Sequence, residues 1–199
     1  SVKFNNTMRN IKILFSVILL GAVFSSCGYN TMVEKQEAVA SQWGNVQNAY
    51  QRRADLIPNL VATVKGYAEH EQETLTKVTE ARAKATQITI DPENLTEENI
   101  RKYQEAQAEL SEALSRLLLI QENYPELKAN QNFLALQDEL AGTENRIAVE
   151  RNRFNQLVKE YNAYIRKFPQ IIYAGLFGFK PKAYFQAAEE AQTAIQVQF

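Results

Sequence analysis

The chain has 199 residues, 45% hydrophobic and 23% charged, with a net charge of −1 and one cysteine. So even a charge balance gives no electrostatic case for binding nucleic acid, which calls for a basic patch or stripe. One cysteine excludes an intrachain disulfide and a thiolate zinc centre, so a single domain of this length must stand on packing alone.

The N-terminal stretch reads as a bacterial lipoprotein signal. Met8, Arg9 and Lys12 precede the apolar run Ile13 to Phe24, which ends in Ser25-Ser26-Cys27-Gly28. A positive n-region, an apolar h-region of about 7 to 15 residues and small residues before the cut mark a secretory signal. An uncleaved transmembrane helix is the alternative, but it needs roughly 20 apolar residues, and Ile11 to Ser26 offers 16. Phe24 stands where such signals more often carry Leu, and Ser1 to Thr7 read as upstream translated sequence. The expectation is cleavage of residues 1–26 and lipid on Cys27, with the body held to a membrane outside the cytoplasm, in the periplasm where the cell has two membranes. Removing Lys3, Arg9 and Lys12 with the signal takes the net charge from −1 to −4.

Residues 27–168 carry helical spacing throughout. Met32, Val39, Trp43, Val46, Tyr50 and Ile57 keep one face, with Gln36 and Arg53 in the series. Val61, Val64, Ala68, Leu75, Val78 and Ala85 carry it on, with Glu71 and Arg82 at core-facing slots. Tyr103, Ala106, Leu110, Ala113, Leu117, Ile120 and Tyr124 alternate steps of three and four, the pattern of a helix face turned to a partner. Phe133, Leu136, Leu140, Thr143, Ile147, Glu150, Phe154, Leu157, Tyr161, Tyr164 and Phe168 repeat it. The fold class expected is all-α.

Thr89-Ile90-Asp91-Pro92-Glu93-Asn94 is the one clear loop, and Asn94 or Thr96 is placed to cap the next helix. Pro58 lies 33 residues before Asp91 and Pro125 lies 34 after it. If both prolines reverse the chain, the result is an antiparallel up-and-down four-helix bundle, its first three helices each about 45 Å long. If both merely kink it, the result is a long two-arm hairpin. Asn123 and Glu126 flank Pro125 as a capping box would, and Asp55 is the best cap near Pro58. The compact bundle is the expected arrangement.

Catalytic chemistry finds no footing. His70 is the chain's one histidine, so neither a di-iron bundle nor a His-Glu-x-x-His protease can be assembled. No phosphate-cradling glycine loop, dinucleotide fingerprint or nucleophile elbow occurs. The sequence predicts no enzyme, cofactor or metal. Arg52, Arg53 and Asp55 beside Pro58 form a candidate interaction surface, with an Arg53–Asp55 pair tying down the break as the simpler reading. Glu71, Arg82 and Glu150 are expected to pair across the core.

The tail, residues 169–199, departs from the helical pattern. It is rich in aromatics, broken by Gly and Pro, and dotted with lysines. Phe177, Phe179, Lys180, Tyr184 and Phe185 are its candidate interaction residues, either closing the bundle's end or meeting lipid headgroups or a partner.

Several runs resemble the LemA family of bacterial membrane-anchored proteins: Arg52-Arg53-Ala54-Asp55-Leu56-Ile57-Pro58-Asn59-Leu60-Val61, Gly66-Tyr67-Ala68-Glu69-His70-Glu71, and Gly142-Thr143-Glu144-Asn145-Arg146-Ile147-Ala148. Tyr124-Pro125-Glu126-Leu127-Lys128-Ala129-Asn130, Tyr161-Asn162 before Phe168-Pro169, and Phe177-Gly178-Phe179-Lys180-Pro181 complete the likeness, which spans roughly Tyr29 to Phe185. The resemblance implies a helical bundle tethered by an N-terminal membrane segment, without established enzymatic activity and with no catalytic residues to assign. Here a lipoprotein-type cysteine stands in place of a plain transmembrane helix. The expected function is a non-enzymatic envelope scaffold or interaction module that binds protein partners or itself. The alternative is an accessory subunit of an envelope enzyme such as a membrane protease.

Overall fold

The computed structural model describes the backbone of residues 2–186 and the side chains of residues 28–186. The lipidation expected at Cys27 and the signal expected over 1–26 therefore fall outside the described side chains, and residues 187–199 of the tail outside the described residues. The fold is all-α, with no strand among the described residues. Its helices are α1 Val2–Lys65, α2 Gln72–Gln87, α3 Glu97–Leu119, the single turn α4 Pro125–Lys128, α5 Gln131–Ile165 and α6 Gln170–Phe177.

Pro58 does not reverse the chain. α1 runs through it to Lys65, and the turn comes at residues 66–71. An interior proline removes the amide that would bond the carbonyl four residues back, here Ala54, which is buried. Arg82 on α2 supplies the missing donor, its Nε bonding Ala54 O at 2.7 Å. The proline ring itself faces solvent, where it displaces no packing. This explains why an arginine occupies a core-facing slot of α2. Arg82→Ala, which leaves that carbonyl bare, is expected to cost about 1–3 kcal/mol. Pro58→Ala restores the helical donor, so the same substitution in that background should cost markedly less. Urea melts of the four variants read the difference, and additive losses would refute the pairing of cause and remedy.

The second reversal lies where it was expected but is built differently. A 3₁₀ turn, Ile120–Asn123, leads into α4 with Pro125 in its first turn. Tyr124 precedes α4 without a side-chain cap, so the Asn123–Glu126 box does not form. Asn130 instead caps α5, its side chain accepting from Phe133 N at 2.9 Å. At the intervening loop Thr96 caps α3 by accepting from Asn99 N, and Asp91 accepts from Glu93 N.

With reversals at 66–71 and 120–130, the helices are not the matched set that two proline turns would give. α2 has 16 residues and α3 has 23, against 35 in α5. α1 and α5 pack antiparallel over their common length: Thr63 Oγ1 accepts from Asn132 Nδ2 at one end, and Lys35 meets Glu160 at the other. Apart from the first turns of α3, with Ile100 and Tyr103, the shorter α2 and α3 cover mainly the half beyond about Ala49. That upper half holds one apolar cluster, including Ile57, Leu60, Val78, Leu110, Leu117 and Phe133. The lower half holds a second, built from Trp43, Tyr50, Tyr103, Phe154 and Tyr161, and closed by the 88–96 loop, the short α6 and the tail rather than by long helices.

The buried face of α5 drifts along its length. Phe133, Leu136, Leu140, Thr143, Ile147, Glu150, Phe154 and Tyr161 are buried as their spacing predicts, but beyond Phe154 Val158 and Ile165 take over from Leu157 and Tyr164. A straight helix slips about 20° per heptad against a 3.5-residue repeat, so three heptads suffice to move the seam by one residue. Phe168, at the end of the predicted series, is 80% exposed.

Candidate functional site

Arg53 is not a surface residue. At 1% exposure it crosses the centre of the bundle between the two apolar clusters. Its Nη1 donates to Ser111 Oγ and Glu144 Oε1, both at 2.7 Å, and its Nη2 donates to Gln107 Oε1 at 2.7 Å and Gln107 O at 3.1 Å. The Tyr50 ring lies 5.2 Å from the guanidinium carbon. One side chain from α1 thus joins α3 and α5, the use for which a rigid five-donor fork is suited. Asp55 is exposed and accepts from Gln51 Nε2, so the Arg53–Asp55 pair does not form.

A second polar joint sits two turns down. Glu150 is buried, and its Oε2 accepts from Gln42 Nε2 at 2.6 Å while its Oε1 meets Arg146 Nε at 2.7 Å. Glu71 accepts from the Tyr124 hydroxyl at 3.3 Å. Each of the three polar residues at core-facing slots has a partner on another element, but they do not pair with one another as expected. Between these joints, α1 and α5 leave an open groove of about 680 Å³ lined by Asn45, Asn48, Arg52, Glu139, Gly142 and Arg146. Arg52, like Asp55, therefore faces outward while Arg53 turns in.

The tail is held by its backbone. Three carboxamides each make a two-way bond with it, as a neighbouring strand would. Asn162 donates to Lys182 O and accepts from Lys182 N, Asn155 does the same at Phe185, and Gln104 at Gln186, all at 2.8–3.2 Å. Tyr161 OH donates to Lys180 O at 3.0 Å, and Ala183 N donates to Leu95 O at 2.9 Å. Gly178 makes the approach possible, capping α6 at φ +77°, a left-handed conformation that glycine adopts without strain.

Phe185 is consequently buried, stacked on Trp43 at 5.8 Å between ring centres and edge-on to Phe154 at 5.4 Å; it cannot form part of an exposed interaction surface. Lys182 is buried as well, its Nζ donating to Pro92 O and Glu93 O at 3.0 Å, a role the sequence did not disclose. Phe177, Lys180 and Tyr184 stay exposed, and Phe179 is half-buried against Tyr29.

Burial pushes the phenols of Tyr50, Tyr103 and Tyr161 up, that of Tyr161 to about 12. The fold holds these protons where the unfolded chain gives them up, above about pH 10, so stability should fall as pH rises from about 10 towards 12. Burial lowers the Lys182 ammonium against the pull of Glu93 and Asp91, a smaller effect of opposite sign. Phenolate absorbance should show these tyrosines ionising together with unfolding; smooth ionisation at about pH 10 in a still-helical protein would count against it.

Among the described residues no group of three or more His, Cys, Asp or Glu lies placed to hold a metal ion, and His70 is exposed in the 66–71 turn. Nor is any helix of the described residues long and apolar enough to cross a membrane.

The LemA family profile matches residues 42–199. The chain belongs to the LemA family. It is 26% identical to Protein LemA of Metamycoplasma hominis over 179 residues, covering 89% of this chain and 78% of that protein. It is also 26% identical to Magnetosome protein MamQ 2 of Paramagnetospirillum magneticum and to Magnetosome protein MamQ of Magnetospirillum gryphiswaldense, covering 84% of this chain and 68% of each relative. None of these names denotes an enzyme. In this LemA chain the runs that carry the family likeness supply part of each joint. Arg53, Ala54 and Pro58 come from one run and Glu144 from another, while Asn162 and Gly178 belong to the two that position the tail.

Proposed function

We propose that this LemA chain is a membrane-anchored, non-enzymatic scaffold of the cell envelope, held by lipid on Cys27 with its helices outside the cytoplasm. The observation that carries the reading is where the polar chemistry goes. Arg53, Glu150, Gln107 and Lys182 direct their bonds inward, joining helix to helix and helix to tail. What faces outward is an extended helical surface, a groove with arginines at its edge and an aromatic end, all suited to contact rather than reaction. The names of the relatives point the same way, two of them referring to the magnetosome and none to a reaction.

The test is to solubilise the tagged chain from its native membrane in mild detergent and identify what accompanies it by mass spectrometry, beside Cys27→Ser. Wild-type protein in the membrane fraction with copies of itself or several envelope proteins, and loss of acyl labelling in Cys27→Ser, is the expected outcome. One stoichiometric enzyme partner would instead make the chain an accessory subunit. Unaltered acyl labelling in Cys27→Ser would overturn the lipid anchor.

A further inference from the structure

The described end of the molecule nearest Cys27 carries an apolar face that the fold leaves bare. Phe168 stands in the turn just before α6, and Ile171, Ile172 and Leu176 follow the spacing of a helix stripe, which in a globular helix turns inward. Here it turns outward. Phe168 is 80% and Leu176 76% exposed, and Ile171 and Ile172 are each more than half exposed. The opposite side of α6 docks by Ala174, which is buried in the lower core. So α6 is anchored to the bundle by Ala174 and the half-buried Tyr173, with Phe177 against Tyr29 at its end, and offers Ile171, Ile172 and Leu176 to the surroundings.

Three independent observations say what covers that face. The first is position: Phe177 and Phe179 pack edge-on against Tyr29, at 5.0 and 5.7 Å between ring centres, which fixes the end of α6 beside a residue two places after Cys27 and the apolar run Ile13 to Phe24. Charge is the second. From Tyr161 to Gln186 the chain has no Asp or Glu, while Arg166, Lys167 and Lys180 stand exposed around the stripe. The third is composition, since Phe168, Phe177 and Tyr184 add exposed aromatic rings to the same stretch. An exposed apolar stripe on a short helix, with aromatics and a basic fringe in the residues that flank it, has the features of a segment lying in the headgroup layer of a membrane.

We infer that α6, with Phe168, is a second membrane contact: it lies in the headgroup layer of an anionic bilayer beside the N-terminal anchor. The inference rests on the proposed anchor for the direction in which the membrane lies. An anchor at one point leaves a long bundle free to tilt and swivel. A second contact fixes its orientation relative to the membrane surface.

The experiment uses the full lipidated chain in vesicles of anionic phosphatidylglycerol and brominated phosphatidylcholine, with a tryptophan placed at Ile172, Leu176 or, as a control at the far end of α3, Leu119, which is 66% exposed. Trp43 is wholly buried and supplies a constant background. Bromine should remove about half or more of the added emission in Ile172→Trp and Leu176→Trp and leave Leu119→Trp unchanged, and the effect should weaken when neutral lipid replaces the anionic one. Chains that float with the vesicles while all three tryptophans stay bright would overturn the α6 contact and leave the anchor standing. Chains that fail to float would overturn both.

Discussion

Replacing Arg53 with alanine should lower the unfolding free energy by about 3–4 kcal/mol, a large part of what holds a domain together. The loss has two sources. Gln107 is buried and Ser111 half-buried, so both lose a donor where water is scarce. The guanidinium also fills the layer between the two apolar clusters, which would otherwise be a void. Glu144 adds little, because its side chain is 46% exposed and water replaces the lost partner. Lysine should recover less than half of the loss, since one ammonium cannot reach α3 and α5 in the same fork. Glu144→Gln should stay within about 1 kcal/mol of the parent. Urea unfolding followed by helical circular dichroism ranks the three, and near-parental stability of Arg53→Lys would show that charge, not the planar fork, is what the joint requires.

Phe185→Ala should cost a comparable amount, about 3–5 kcal/mol, although Phe185 lies in a segment without regular structure. Its ring stacks on Trp43, meets Phe154 edge-on and lies beneath the Arg151 guanidinium, 4.8 Å from its carbon. Removing it opens the lower core where no helix stands behind the gap. Because Trp43 is the only tryptophan, the change has its own reporter: emission should move to longer wavelength as water reaches the indole. Tyr184→Ala, one residue away and facing solvent, should change stability by about 0.5 kcal/mol or less. Equal effects of the two substitutions would mean that the tail does not close the core.

Periodicity made the helices legible. Trp43, Tyr50, Leu110, Phe133 and Phe154 all occupy the core positions their spacing assigns. What it could not reveal were the joints, because each depends on a partner remote in sequence. Pro58 reads as a break when only its own helix is considered. It is tolerated because Arg82, on the next helix, supplies the absent donor. Arg53 beside Asp55 reads as a local pair, whereas the fold aims it at Gln107, Ser111 and Glu144. Asn155 and Asn162 read as polar positions on a helix face, and nothing local marks them as backbone clamps for residues 182 and 185. The outward stripe of α6 was legible as apolar, but its direction was not, since spacing defines a face without saying which way it turns.

The carboxamide clamps on the tail have a consequence for how the molecule is made. The lower core takes one wall from Trp43 and its last from Phe185, far along the described chain, so the ribosome delivers the second roughly 7 to 28 seconds after the first. During that interval the aromatic cluster stands open and cannot be completed by anything already synthesised. Until residues 182–186 have been translated, the chain therefore has no finished lower core.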